Sequence, residues 1–208
     1  MLALQLAVDA GYEPKTLLTM LDESGDRTRS HGLPLSLVVA QAEALGLPLL
    51  TRRATWTDYE EAFIDGLGQC AANGCATCVF GDIDIDDHRA WCERVSSQAR
   101  IQSLHPLWQR DRRAVVEGFL ERGYEAVIVV VRDSALDRSF LGRRLDHELI
   151  NDLEGAGVDI CGENGEFHTL VVDGPLFASP LQLRQLGILS VADCSLMDYT
   201  PETSVRTP

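Results

Sequence analysis

The chain has 208 residues, with 18 Lys and Arg against 32 Asp and Glu, for a net charge of −14. That excess of acid excludes a general nucleic-acid binder, which needs basic side chains to neutralise phosphates. No apolar run reaches the length that crosses a bilayer, and the opening residues carry neither a charged n-region nor a cleavage site, so a cytoplasmic protein is expected.

The first residues, Met1 to Ala10, read as an apolar helix ending at Gly11. Thr16–Leu21 is a short apolar run and is predicted to be a buried strand. Asp22 to Gly32 is a polar, Gly-containing loop beyond it. Leu35–Leu45 has helical periodicity and stops at Gly46, with Pro48 two residues later. Leu49–Arg53 is the next predicted strand, Thr57–Cys70 a helix, Thr77–Phe80 a third strand, and Asp86–Gln98 a charged amphipathic helix. This alternation predicts a mostly parallel sheet flanked by helices. Ligands in such sheets sit beyond the carboxyl ends of the strands, where Leu21–Glu23, His31 and Gly81-Asp82 fall.

A second unit is expected after residue 100. Ile101–Leu104 reads as a strand, Arg112–Arg122 as a helix ended by Gly123, and Glu125–Val131 as the clearest buried strand of the chain. Ser134–Arg144 is a polar loop with three arginines, followed by a helix over Leu145–Leu153 and a strand over Phe167–Val172. Part of the tail, Ser179–Pro208, is expected to return as a strand, with the last few residues frayed.

The six cysteines give one suggestive spacing, Cys70, Cys75 and Cys78 with Cys92 beyond. Iron–sulfur and zinc sites use comparable patterns. Cys78 enters an apolar strand, however, where a free thiol serves as a small hydrophobe. All the thiols are expected to be reduced, with no metal ligands among them.

The densest chemistry lies in Cys161-Gly162-Glu163-Asn164-Gly165-Glu166-Phe167-His168-Thr169. Two carboxylates, a carboxamide, an imidazole and a hydroxyl fall within seven residues. Its glycines let the backbone turn sharply and approach a ligand. If pairing starts at Phe167, alternation puts Glu166 and His168 on one face.

Residues 159–177 resemble the C-terminal signature of the diphthine–ammonia ligase family, CGE(N/G)GE(F/Y)xT followed by DGP. Further likenesses in the same order are Ser30-His31-Gly32, residues 41–49, Gly81-Asp82-Ile83, His88-Arg89, Pro106-Leu107-Trp108 and residues 139–143. The family is similar to the ATP pyrophosphatases of the adenine-nucleotide alpha-hydrolase group. The resemblance implies an α/β fold: a Rossmann-like, HUP-type, mostly parallel sheet over residues 1–99 and a smaller α+β domain over 100–208. Family members open with a strand and a Ser-Gly-Gly-Lys-Asp-Ser phosphate loop that residues 1–208 do not contain. The only lysine is Lys15, beyond the first helix. The expectation is that the native chain continues upstream, and that the chain as given binds ATP weakly or not at all.

The activity implied is ATP-dependent amide formation with Mg2+, in which a carboxylate is adenylated and ammonia displaces AMP. Its partners are then ATP, ammonium and a carboxylate acceptor, protein-bound or free, with no nucleic acid and no membrane; a homo-oligomer is compatible. Glu163, Glu166 and His168 are the expected catalytic residues, and which glutamate has which role stays open. Met20, Gly81, Asp82 and Trp108 are expected to bind the nucleotide; His31, Arg143, Asn164 and Thr169 the acceptor. Each has a plainer alternative. Asp82 can cap the following helix, Trp108 can be a packing anchor, and Arg143 can pair with Asp146 on the surface. His31, His88 and Arg89 can be solvated, and Cys161 a buried turn thiol. A related adenylating enzyme with another acceptor, or a non-catalytic nucleotide-binding protein, are the alternative functions.

Overall fold

A computed structural model describes residues 1–202. By contacts the chain forms two compact units, one of Met1–Ser30 with Leu47–Val115 and one of His31–Gly46 with the chain from Val116 onward. The boundary expected near residue 100 divides the sequence; contacts group the helix around residue 40 with the C-terminal half.

The first unit opens with α1 (Leu2–Asp9), which ends as Gly11 takes φ +89°. Two parallel ladders follow. β1 (Leu17–Leu21) pairs with β2 (Leu49–Arg53), Leu17 opposite Leu49 and Leu21 opposite Arg53. β3 (Thr77–Val79) pairs with β4 (Gln102–Leu104), Cys78 opposite Ser103. Parallel strands cannot be joined by a tight turn, so the chain crosses over through helices: α3 (Tyr59–Ala72) precedes β3, and α4 (Asp86–Gln98) links β3 to β4. Both helices begin with acidic pairs, Glu60-Glu61 and Asp86-Asp87, which suit the positive N-terminal end of the dipole. Leu67 of α3, Val95 of α4 and Ile101 form a small core, joined by Leu18 of β1 and by Cys75 and Cys78. The C-x4-C-x2-C segment therefore supplies packing to that core.

The second unit is built on a four-stranded antiparallel sheet in the order β6-β5-β8-β7. β5 (Glu125–Arg132) is buried from Ala126 to Val131, which explains its continuous apolar run. It pairs with β6 (Phe167–Asp173) on one side and β8 (Cys194–Pro201) on the other. β7 (Leu183–Val191) is the edge strand beyond β8. The tail thus adds a two-stranded hairpin where a single strand was expected; the frayed end expected there lies outside the described residues. α2 (Leu35–Ala44) belongs to this unit: Leu37 is fully buried with the valines of β5, and Gln41 Nε2 donates to Val171 O at 2.8 Å. α5 (Arg112–Glu121) leads into β5, and α6 (His147–Gly155) starts at Asp146, whose carboxylate accepts from Leu149 N at 2.8 Å. The α/β class expected from the sequence is the class observed, with parallel pairs in the first unit and an antiparallel sheet in the second.

Candidate functional site

The signature loop joins α6 to β6, and one side chain organises it. Asp159 accepts from Cys161 N at 3.2 Å and Glu163 N at 2.8 Å, while its carbonyl accepts from Gly162 N at 3.0 Å. Gly162 sits at φ +68°, and a Cβ there would lie 2.8 Å from Phe167 O, so only glycine lets the turn close. The far side is fixed to the end of β5: Arg132 N donates to Glu166 O at 2.8 Å, and Arg132 Nη2 to Asn164 O at 3.0 Å. Glu166 is buried, 9% exposed. Its Oε1 accepts from Asn164 Nδ2 at 3.1 Å, and its Oε2 is buried with no hydrogen-bond partner. A buried carboxylate oxygen without a donor is costly, so Oε2 is the atom in this loop most in need of a ligand.

Two of the expected residues also meet in this unit. His31 and His168 lie ring against ring, centroids 4.5 Å apart and tilted by 57°. Desolvation first, and His168 second, push His31 down to about 4. By surface area, however, His31 is an exposed residue, and hydration there tempers the downward push. Desolvation lowers His168 as well. Both rings are therefore neutral at pH 7, each with a lone pair available as an acceptor. Phe167 is in the core, and Thr169 is half-buried on β6 opposite Ile128. Glu163 is half-buried in the loop and Asn164 exposed. Cys161 packs against the core as a turn thiol. Arg143 stands elsewhere in this unit, bound to Asp152 at 2.7 Å and 5.2 Å above the Phe140 ring; Asp146 caps α6 instead of pairing with it.

The residues expected to handle the nucleotide are in the first unit. Met20 is a buried side chain of β1. Gly81 follows β3 with open space where a Cβ would project. Asp82 does not cap α4, whose N-terminal position is Ile85. Its carboxylate instead accepts from the Cys92 thiol at 3.5 Å and faces His88 and His105, each with Nδ1 3.8 Å away. The His105 side chain is only 6% exposed, and both its ring nitrogens are buried without a partner. It stacks on Phe80 and meets Trp108 edge-on. Trp108 carries the Arg89 guanidinium 4.7 Å over its ring, while the Arg89 side chain stays 38% exposed, as a solvated residue should. His105 was missed because a single histidine before Pro106 gives no spacing signal.

Two family matches cover most of the chain: the diphthamide synthase N-terminal domain over residues 1–103 and the diphthamide synthase C-terminal domain over 111–193. The chain belongs to the diphthamide synthase family. Among curated relatives it is similar to diphthine–ammonia ligase of Danio rerio, 33% identical over 125 residues, which is 57% of this chain and 44% of that protein. The Homo sapiens protein of the same name is 35% identical over 101 residues, 47% of this chain and 38% of that protein. The Schizosaccharomyces pombe protein is 32% identical over 104 residues, covering 17% of its length. The chain therefore spans less than half the length of these relatives.

Mg2+ is implied only by the resemblance noted in the sequence. Among the described residues no group of three or more His, Cys, Asp or Glu side chains could hold a metal. Mg2+ is usually held by one or two carboxylates together with substrate phosphates, without an all-protein cage. The orphaned Oε2 of Glu166, with Glu163 in the same loop, fits that sparse arrangement. No helix among the described residues is long and apolar enough to cross a membrane.

Proposed function

We propose that the chain is an ATP-dependent amide ligase of the diphthine–ammonia ligase type, acting in the cytoplasm on a carboxylate carried by a protein. In the first step a carboxylate oxygen attacks the alpha phosphorus of ATP, the bond to the bridging oxygen breaks, and pyrophosphate leaves. Ammonia then adds to the acyl carbon, AMP departs with its electron pair, and the nitrogen gives up a proton. Mg2+, when bound, supplies neutralising charge on the phosphates.

The observation that carries the reading is the buried, unpartnered Oε2 of Glu166 in a loop fixed by Asp159 and Arg132. A rigid carboxylate with an open lone pair can hold ammonium and accept its proton as ammonia reacts. Neutral His31 and His168 offer acceptors without adding positive charge to this unit. Asn164 donates to Oε1 of Glu166 and leaves Oε2 open. Asp82 and Trp108 of the first unit are assigned to the nucleotide, a carboxylate for ribose or metal and a flat ring for adenine.

The test is ammonium-dependent AMP release from ATP with diphthine-bearing elongation factor 2. It is run on the 208-residue chain and on the same chain preceded by a family strand and Ser-Gly-Gly-Lys-Asp-Ser loop. Release by the extended form, with weak activity in the shorter, is the expected result. No AMP from either form would remove the ligase reading. AMP formed without dependence on this acceptor would favour a relative with another substrate.

A further inference from the structure

We infer that Asp82 and His88 together hold one ribose hydroxyl of the nucleotide, and that buried His105 fixes the Asp82 carboxylate from behind. The inference rests on the assignment of Asp82 to the nucleotide and names the group it would touch. β3 and β4 run parallel and end side by side at Val79 and Leu104. Asp82 and His105 therefore both stand just beyond carboxyl ends, where ligands of such sheets bind. His88 comes from the first turn of α4, and Cys92 follows four residues later on the same helix face. The two oxygens of Asp82 have different surroundings. Oδ2 is turned inward: it accepts from the Cys92 thiol at 3.5 Å and faces Nδ1 of His105 at 3.8 Å, a side chain only 6% exposed. Oδ1 is turned outward, 3.8 Å from Nδ1 of His88, whose side chain is 56% exposed.

A separation of 3.8 Å is too long for a hydrogen bond, yet a third atom can lie about 2.8 Å from both of its ends. On the outer side that atom must accept from an imidazole N–H and donate to a carboxylate, and a hydroxyl oxygen does both. A phosphate oxygen would be repelled by Asp82, and an ammonium has no lone pair to offer. No group of three side chains among the described residues fits a metal. Gly81 is exposed, with open space where a Cβ would project, and leaves the approach free. Trp108, the ring assigned to adenine, stands edge-on to His105 with centroids 6.5 Å apart. On the inner side, both ring nitrogens of His105 are buried without a partner. Burial outweighs the pull of Asp82 and holds this imidazole below its ordinary pKa, so at pH 7 it meets the carboxylate as a neutral donor. Such a donor limits the orientations of Asp82 without cancelling its charge, and hydrogen bonds in functional sites often tighten only in the complex.

Adenosine is the probe, because it carries the ribose without phosphates and so makes no demand on a phosphate loop. NMR titration of the 208-residue chain is expected to show adenosine binding, with either 2′-deoxyadenosine or 3′-deoxyadenosine weaker by about tenfold or more. His88→Phe, an exposed substitution, should bind all three nucleosides alike. His105→Phe should lose the same discrimination. His105→Asn, whose amide presents an N–H near the place of Nδ1, should recover it. A merely structural role for His105 would move the melting temperature and leave the ratio alone. Equal binding of the three nucleosides by the wild type overturns the inference, as does no binding of adenosine, or full discrimination in His88→Phe. His105→Asn no better than His105→Phe overturns the role given to His105. Were His105→Phe to unfold, the wild-type ratio and His88→Phe would still decide. AMP release from ATP is measured separately, so the ligase reading stands or falls apart from these results.

Discussion

Glu166 is the residue whose environment departs furthest from what a surface loop requires. Half of its carboxylate is satisfied by Asn164 and half by nothing in the protein. Glu166→Gln keeps the shape and an acceptor for Asn164, and removes the charge. It should abolish most acceptor-dependent AMP release while leaving the protein folded; full turnover beside a normal melt would remove the assigned role. The imidazole pair makes a second prediction. The folded-state value of His31, about 4, lies below its ordinary 6.5. Between those values the unfolded chain binds a proton that the native one refuses, so stability is lost as pH falls through that window. Urea unfolding at pH 7 and pH 5 should show a smaller loss for His31→Asn than for the wild type, and equal losses would count against the pair. The sequence displayed Glu163, Asn164, Glu166 and His168 because they are neighbours along the chain. The contact of His31 with His168 was hidden, because nothing local records a meeting between residues so far apart.

At the scale of elements, the turn that enters β6 depends on glycine for two different reasons. Gly162 combines φ +68° with a backbone oxygen in the space a methyl would need, whereas Gly165, at φ +73°, has open space. Gly165→Ala should therefore cost only the left-handed strain, about 1 kcal/mol, and Gly162→Ala distinctly more, about 2–4 kcal/mol. Chemical denaturation orders the two, and equal costs would show that the turn relaxes around the methyl. Most helices and strands were legible within a residue or two, because glycines at 11, 46 and 123 and the periodicity of apolar residues mark their ends. α6 was placed two residues early, since the Asp146 cap outranks the apolar Leu145 as a starting signal. The β7–β8 hairpin was only half visible. Its turn, Ala192-Asp193, puts alanine at φ +52° where glycine or asparagine would have announced it.

For the whole molecule, the sequence disclosed class and order of elements but not which sheet each helix covers. An apolar helical face says only that something covers it, and α2 reads equally well as a crossover between β1 and β2. In the fold it packs with β5 and β8, fastened by Gln41 to Val171 and by Ala178 N to Ala44 O. This bears on how the protein is made. The contact between Gln41 and Val171 spans 130 positions, so α2 leaves the ribosome long before its partners exist. At about 5–20 residues per second the delay is on the order of ten seconds, during which Leu37 and Val38 must remain unpacked or be shielded by a chaperone. The first unit must meanwhile fold around a segment it does not keep. Such long-range closure slows folding, and refolding of the second unit should wait on the docking of a helix that was among the first parts synthesised.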